Sequence, residues 1–374
     1  MTATELPTGP EGLELEMLSE TLSSQVPGAA LEAFRILDSH LWGSGDASSA
    51  GRIDIEVDYT PSSPEDLPRR IVAKIARVDP DDTPERRETR GGLYANEVNV
   101  YTRFDPARIV EAPRVLGGTY DPASHHFLLL LEDLRERDVA FANVTVPTSL
   151  DRMRSLLSQL AKLHALYWNS PELGTSLGWM EHHTRGRLYD MFNTPEIAPA
   201  AIAWLVENVQ FKREMVERMG QTPDSLFRQF QRIQAHQATL ARTVCHGDMH
   251  IGNSYILPDG TGGLIDWQLT SQGYCMHDIS YLLGSGLSVA QRREHERELL
   301  AYYREQLCER GVADAPGLDE LWLEYRRAMV WGVYIGWLTT PEINYGWEIT
   351  VMNHLRVMTA YEDLETAKAL AELG

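Results

Sequence analysis

At 374 residues, with 43% hydrophobic and 24% charged side chains, the chain has an ordinary globular make-up and enough length for one large domain or two lobes. Its formal charge is −20, from 34 basic against 54 acidic side chains, which excludes the basic face that a nucleic-acid partner requires. The carboxylates are spread along the chain, so the charge reads as solubility before it reads as attraction for a cationic substrate.

Residues 1 to about 10 are rich in Thr, Pro and Gly and read as frayed. Leu13, Leu18 and Leu22 suggest a short amphipathic helix ahead of Pro27-Gly28. Ala30 to Trp42 reads as a strand, and Arg52 to Tyr59, with alternating Ile53, Ile55 and Val57, as another. Between them lies a loop of glycine and serine that includes Gly45, Ser48 and Ser49. A strand, such a loop and a second strand can lay backbone N–H groups over triphosphate oxygens, and the same letters also describe a plain hairpin turn. It is not a Walker A loop, because no Gly-Lys-Ser/Thr follows. Ile71 to Ala76 is a further strand with Lys74 amid apolar neighbours. A lysine so placed must find an anion or reach outward. Asp79 to Arg90 is charged and contains Pro84, as a mobile surface loop would. Leu93, Val100, Tyr101 and Phe104 follow at helical spacing, with Glu97 on the same broad face. Val115 to Tyr120 and His126 to Leu131 complete a five-stranded set, and Leu128 to Leu134 turns from apolar to acidic at Glu132-Asp133.

From Thr148 onward the pattern is almost wholly helical. Leu150, Met153, Leu156, Leu157, Leu160, Leu163 and Tyr167 keep the helical period, and His164 reads as a core histidine satisfied by hydrogen bonds. Gly178 to Pro199 is irregular; Ala200 to Met219 and Ser225 to Ala241 are helices. Asp278 opens a helix over Ile279 to Leu283, where it would cap that helix and hold the loop before it. Helices follow at Val289 to Arg310, Leu318 to Leu338 and Glu348 to Leu373. Cys245, Cys275 and Cys308 form an odd set without paired spacing, as expected of reduced thiols in a cytoplasmic protein. Met1 to Gly12 has no signal-peptide pattern, and the longest uncharged apolar run, Ala328 to Leu338, is too short to span a bilayer. Oligomeric state is not legible.

The stretch Thr243 to Trp267 carries the chemistry. Pro258-Asp259-Gly260 is a turn between Ser254 to Leu257 and Gly263 to Ile265, two short apolar runs that read as a hairpin. A hairpin folds its ends together, which brings Asn253 and Asp266 to one side, with Asp248 in the loop leading in. A carboxylate that takes a hydroxyl proton and an amide oxygen and carboxylate for Mg²⁺ are what phosphoryl transfer to an alcohol needs.

His246-Gly247-Asp248-Met249-His250-Ile251-Gly252-Asn253 with Ile265-Asp266-Trp267 resembles the catalytic core of the aminoglycoside phosphotransferase and choline kinase-like superfamily. Ile251 stands where many aminoglycoside kinases have proline, and Trp267-Gln268 where protein kinases have Phe-Gly; neither change removes a chemical group. The resemblance implies an α+β, bilobal, protein-kinase-like fold, with an antiparallel N-lobe over 1–131 and a mostly helical C-lobe over 132–374. It implies ATP and Mg²⁺ as cofactors, Asp248 as base, and Asn253 and Asp266 as metal ligands. Lys74 would meet the α- and β-phosphates, oriented by Glu97, and the adenine edge would pair with backbone at Leu131 and Asp133. His246 and His250 are expected to brace the loop. The Leu-Leu-Glu-Asp-Leu hinge and the Leu-His-Ala-Leu-Tyr-Trp-Asn-Ser-Pro segment resemble the ecdysteroid kinase-like branch more than the antibiotic-resistance enzymes.

The expected reaction is transfer of the γ-phosphoryl group to a small-molecule alcohol. Tyr334, Trp337, Tyr345 and Trp347, broken by Gly336, Pro341 and Gly346, read as a pocket wall for a steroid-like, choline-like or hydroxyacyl substrate with an apolar body. Trp322 and Trp331 read as core. An aminoglycoside pocket would concentrate acids there, and only Glu342 and Glu348 qualify. Two rivals stand beside this reading. One is a metal-dependent hydrolase built on His246, Asp248 and His250. The other is a nucleotide-binding module without activity.

Overall fold

The computed structural model describes residues 5–41, 50–78, 83–341 and 345–373. The chain divides into two compact units, Met1–Val139 and Ala140–Gly374.

In the first unit, α1 (Leu15–Gln25) precedes β1 (Leu31–His40), β2 (Ala50–Tyr59) and β3 (Arg70–Ala76). Then come α2 (Pro84–Asn99), β4 (Val115–Tyr120) and β5 (Phe127–Glu132). The strands form one antiparallel sheet in the order β1-β2-β3-β5-β4. Alternation decides its faces, since successive side chains point to opposite sides. Ile53, Ile55 and Val57 of β2, Ile71, Ala73 and Ile75 of β3, and Leu128 and Leu130 of β5 pack against Met17, Leu18 and Leu22 of α1. On the opposite face, register sets Lys74 across from Arg52 on one side and Leu129 on the other.

Helix α2 corrects the expected loop from Pro84 to Arg90; residues 79–82 lie outside the described residues. Thr83 accepts a hydrogen bond from Arg86 N, Pro84 occupies the first turn, and the helix runs on to Asn99 before widening into a π-helical turn at Val100–Phe104. The charged residues are its solvated start, and buried Tyr94 and Val98 anchor the rest. Beyond β5 the chain stays tied to the sheet. Arg135 pairs with Asp54 and Asp133, and Arg137 with Glu111 and Glu132. The first unit therefore runs past residue 131 to Val139.

The second unit begins with β6 (Ala140–Phe141). It continues with α3 (Leu150–Leu166), α4 (Gly186–Asn193), α5 (Ala198–Asn208), α6 (Gln210–Arg218) and α7 (Pro223–Gln237). Four short strands follow, β7 (Thr243–Cys245), β8 (Ser254–Ile256), β9 (Gly262–Leu264) and β10 (Ser271–Gly273). The unit ends with α8 (Met276–Gly286), α9 (Val289–Glu309), α10 (Leu318–Trp331), a π-helical turn (Gly332–Leu338), α11 (Trp347–Asp363) and α12 (Thr366–Ala371). The segment read as irregular contains α4. The helix expected over 200–219 is two, because Val209 is extended, and the last is broken where Glu365 adopts a positive φ of 50°. Strand β6 pairs with β8, and β10 with β7, so the segment after Asp266 is short and held in a ladder. Among the described residues no helix is long and apolar enough to cross a membrane. The three cysteines are free, Cys245 and Cys275 buried and Cys308 exposed.

Candidate active site

The second unit builds the site on a hairpin. Ser254 pairs with Leu264, and Ile265 N donates to Asn253 O at 3.0 Å, so Asn253 and Asp266 flank the open end. The turn closes with Leu257 N donating to Thr261 O and Thr261 N to Asp259 Oδ1. Asp266 lies in the left-handed region at φ 64°, which an aspartate tolerates better than a branched residue.

The loop before the hairpin is fixed from every side. Gly247 has φ 89°, and a Cβ there would stand 2.0 Å from Leu269 O, so only glycine fits. Asp278 accepts from His246 N at 2.7 Å and Gly247 N at 2.9 Å, and His164 Nε2 lies 3.1 Å from the same carboxylate. It sits inside the first turn of α8 and caps nothing, which corrects half of its expected role. Burial opposes its charge, but the His164 hydrogen bond and nearby imidazoles win and hold the carboxyl below its usual range. His277 Nε2 donates to Gly247 O at 3.0 Å, and Ser285 Oγ accepts from Ile251 N at 3.1 Å.

His246 gives Nε2–H to Ile265 O at 2.9 Å and accepts Asp248 N at Nδ1 at 3.3 Å, joining the loop to the far arm of the hairpin. Both ring nitrogens are thereby engaged with backbone, which works against the hydrolase that would use them on a metal. His250 accepts from Gly252 N at Nδ1. Burial lowers the pKa of both rings, that of His250 to about 4.

Asp248, Asn253 and Asp266 come together. Asn253 Nδ2 donates to Asp248 O at 2.8 Å and to Asp248 Oδ2 at 3.2 Å. An amide that donates through nitrogen keeps its oxygen for a cation. Burial, then the neighbouring charge of Asp266, pushes Asp248 up to about 7. Two half-buried carboxylates and a buried amide oxygen in one spot are hard donors, and a divalent cation would relieve the repulsion between the carboxylates. The residues fit Mg²⁺.

In the first unit, Lys74 Nζ lies 2.5 Å from Glu97 Oε1, with both side chains largely buried. Gly45, Ser48 and Ser49 lie outside the described residues. The expected base contacts at Leu131 and Asp133 need correction at Asp133. Its N–H donates to Arg70 O and its carboxylate accepts from Arg135 Nε, because the chain is still strapped to the sheet there. Leu131 is paired in β5 between Val72 and Val115.

The expected pocket wall divides. Trp337 lies 5.8 Å from the His250 ring and 5.6 Å from Tyr345, whose hydroxyl is raised by burial and by Asp248 and Asp266. Tyr334 instead packs on Phe227 and Phe230, and Trp347 is 53% exposed, so neither stands with that pair. The π-helical turn decides this by shifting the helical phase after Trp331. Trp331 packs in the core against His183 and His277, and Trp322 lies under Arg297. Sequence reasoning missed Tyr281, which joins this cluster against His250 and fits because Gly336 has no Cβ to meet its hydroxyl. A Gly-x3-Gly spacing at Gly332 and Gly336 is the signal that marks such a close approach.

The family model for the ecdysteroid kinase-like family matches residues 46–311, more than half of the chain. The chain belongs to the ecdysteroid kinase-like family. This family member is similar in fold to a choline kinase from Cryptosporidium parvum Iowa II, with a TM-score of 0.55 at 11% identity over 95% of this chain and 98% of that one. It is also matched to choline kinase LicA from Streptococcus pneumoniae (TM-score 0.47, 12% identity, 93% of this chain and 98% of that one). A type I macrolide 2′-phosphotransferase matches with TM-score 0.47 and 18% identity over 94% and 98%. No curated protein matches the chain. The fold of this ecdysteroid kinase-like protein is α+β and protein-kinase-like, with a five-stranded antiparallel sheet and a mostly helical remainder.

Proposed function

We propose that this chain transfers the γ-phosphoryl group of Mg·ATP to a hydroxyl of a small-molecule alcohol with an apolar body. The observation that carries the reading is the meeting of Asp248, Asn253 and Asp266 at one end of a hairpin. Asp248, on a loop held rigid by Asp278 and His246, orients the alcohol and takes its proton as the bond to phosphorus forms. Asn253 fixes the Asp248 side chain through Nδ2. Asn253 and Asp266 would hold Mg²⁺, which when bound neutralises phosphate charge. Lys74, oriented by Glu97, offers an ammonium to the α- and β-phosphates, and the first unit is the nucleotide-binding lobe in this reading. Trp337 and Tyr345 beside His250 supply an apolar, aromatic wall for the acceptor.

The test is a panel of alcohols incubated with Mg·ATP and followed by ADP release, with Asp248→Ala as control. At least one alcohol should stimulate release in the wild type and none in the variant. Product formed without nucleotide, or stimulation surviving Asp248→Ala, overturns the proposal.

A further inference from the structure

Helix α2 is tied to the end of strand β3 at two points, three residues apart on each element. Glu97 Oε1 meets Lys74 Nζ at 2.5 Å, and the Tyr94 hydroxyl accepts from Arg77 N at 3.2 Å. Residues 94 and 97 stand at i and i+3, neighbours on one helix face, so the two links lie side by side. Arg77 is the first residue beyond β3, whose last pair with β2 is Ala76 with Ala50, and its N–H goes to a side chain. Tyr94 is 3% exposed, and its ring stacks on Phe127 of β5 with centroids 4.5 Å apart. A phenylalanine would stack as well, so the hydroxyl is the part that asks for a reason.

Close seats hold the helix on either side of these links. A Cβ on Gly91 would stand 2.5 Å from His125 Nδ1, in the turn between β4 and β5. A Cβ on Gly118 of β4 would stand 2.9 Å from Thr102 Cγ2, in the π-helical turn that continues α2. Tyr94 and Glu97 fall between the two seats along the chain.

We propose that Tyr94 is a positioning residue for nucleotide binding: by holding the end of β3 its hydroxyl keeps Glu97 on Lys74, and so fixes the ammonium that meets the α- and β-phosphates. This rests on the phosphotransfer reading and deepens it. Tyr94 touches no reacting atom and acts through Glu97. The pair it governs is sensitive to small displacements, because a hydrogen bond is lost within about 1 Å of added separation. With side chains 14% and 2% exposed, Lys74 and Glu97 are both sheltered from bulk water, so hydration does not replace their contact. Burial holds the Tyr94 hydroxyl above its usual pKa against the charges of Arg90, Arg77 and Lys74, so it stays a neutral acceptor.

The experiment compares the full chain as wild type, Tyr94→Phe, Glu97→Gln and the double variant. Tyr94→Phe keeps the ring and its stack on Phe127, so the fold is retained. One readout is the KM for Mg·ATP, measured with the alcohol that most stimulates ADP release. The other is the rate at which acetic anhydride acylates Lys74 relative to Lys368, followed by mass spectrometry. The chain has four lysines, which makes each one resolvable, and Lys368 is 68% exposed. Tyr94→Phe should raise the KM by about 3–10-fold with kcat changed by less than about 2-fold, and should speed acylation of Lys74 by about 3-fold or more. In the Glu97→Gln background the same substitution should change neither, because no ion pair is left to position. Unchanged KM and acylation in Tyr94→Phe, effects of equal size with and without Glu97, or a fall in kcat at constant KM each overturn the proposal. If no alcohol stimulates ADP release in the wild type, the phosphotransfer reading fails by itself. Acylation of Lys74 then judges the role of Tyr94 alone, with equal rates in wild type and Tyr94→Phe counting against it.

Discussion

Replacing Asp278 by Asn tests whether one buried carboxylate organises the catalytic loop. Oδ2 meets His246 N and His164 Nε2, and Oδ1 meets Gly247 N. An asparagine whose oxygen takes the Oδ2 place keeps two of these bonds but turns its NH₂ onto the Gly247 N–H; the flipped amide loses two. Hydrogen bonds to a charged acceptor contribute about 1.5–3 kcal/mol each, and a buried orphaned donor costs about 1–3 kcal/mol. The expected loss is therefore about 3–5 kcal/mol, a large fraction of the roughly 5–15 kcal/mol by which domains are stable. Denaturant unfolding gives the total, and amide hydrogen exchange at His246 and Gly247 localises it to the loop. A double-mutant cycle with His164→Phe should show coupling of about 1 kcal/mol or more, since the two side chains are in contact. A loss below about 1 kcal/mol, with protection of both amides intact, would refute the reasoning.

Gly247→Ala should lose both stability, by about 2 kcal/mol or more, and ADP release, because its Cβ meets Leu269 O at 2.0 Å in a left-handed conformation; a soluble, active variant would count against the loop geometry. Glu97→Gln should raise the KM for ATP by roughly 10–100-fold with a smaller change in kcat, since it releases Lys74 from a charged partner; unchanged nucleotide kinetics would exclude the pair from the site. Asp248→Asn should lower turnover by about 10²–10⁴-fold yet raise the melting temperature in chelator at neutral pH, because it removes a half-buried, partly desolvated charge next to Asp266; a lower melting temperature would contradict this. Finally, His183, His246, His250, His277 and His354 all have pKa values lowered by burial. Below pH ~6.5 the unfolded chain binds more protons than the folded one, so stability falls with pH, by more than about 1.4 kcal/mol per unit between pH 6 and 5. A flat urea-midpoint profile from pH 7 to 5 would exclude it.

What the letters alone determined is local. Alternation in Ile53, Ile55 and Val57 and around Lys74 set strand faces, and the hairpin turn at Pro258-Asp259-Gly260 placed Asn253 near Asp266, because neighbours within a few residues are forced together by backbone geometry. The superfamily was legible in the same short stretch, and the ecdysteroid kinase-like branch in two further segments, Leu130 to Leu134 and Leu163 to Pro171. Tertiary structure decided what depends on distant segments. Asp278 reaches back 31 and 32 residues to Gly247 and His246 and does not cap its own helix. Asp133 spends its N–H on Arg70, and a π-helical turn after Trp331 sends Tyr334 and Trp337 to different places. Helical periodicity cannot register such a phase shift, and no local pattern says which of several buried polar atoms will find a partner. Those outcomes follow from which faces meet when the helices pack.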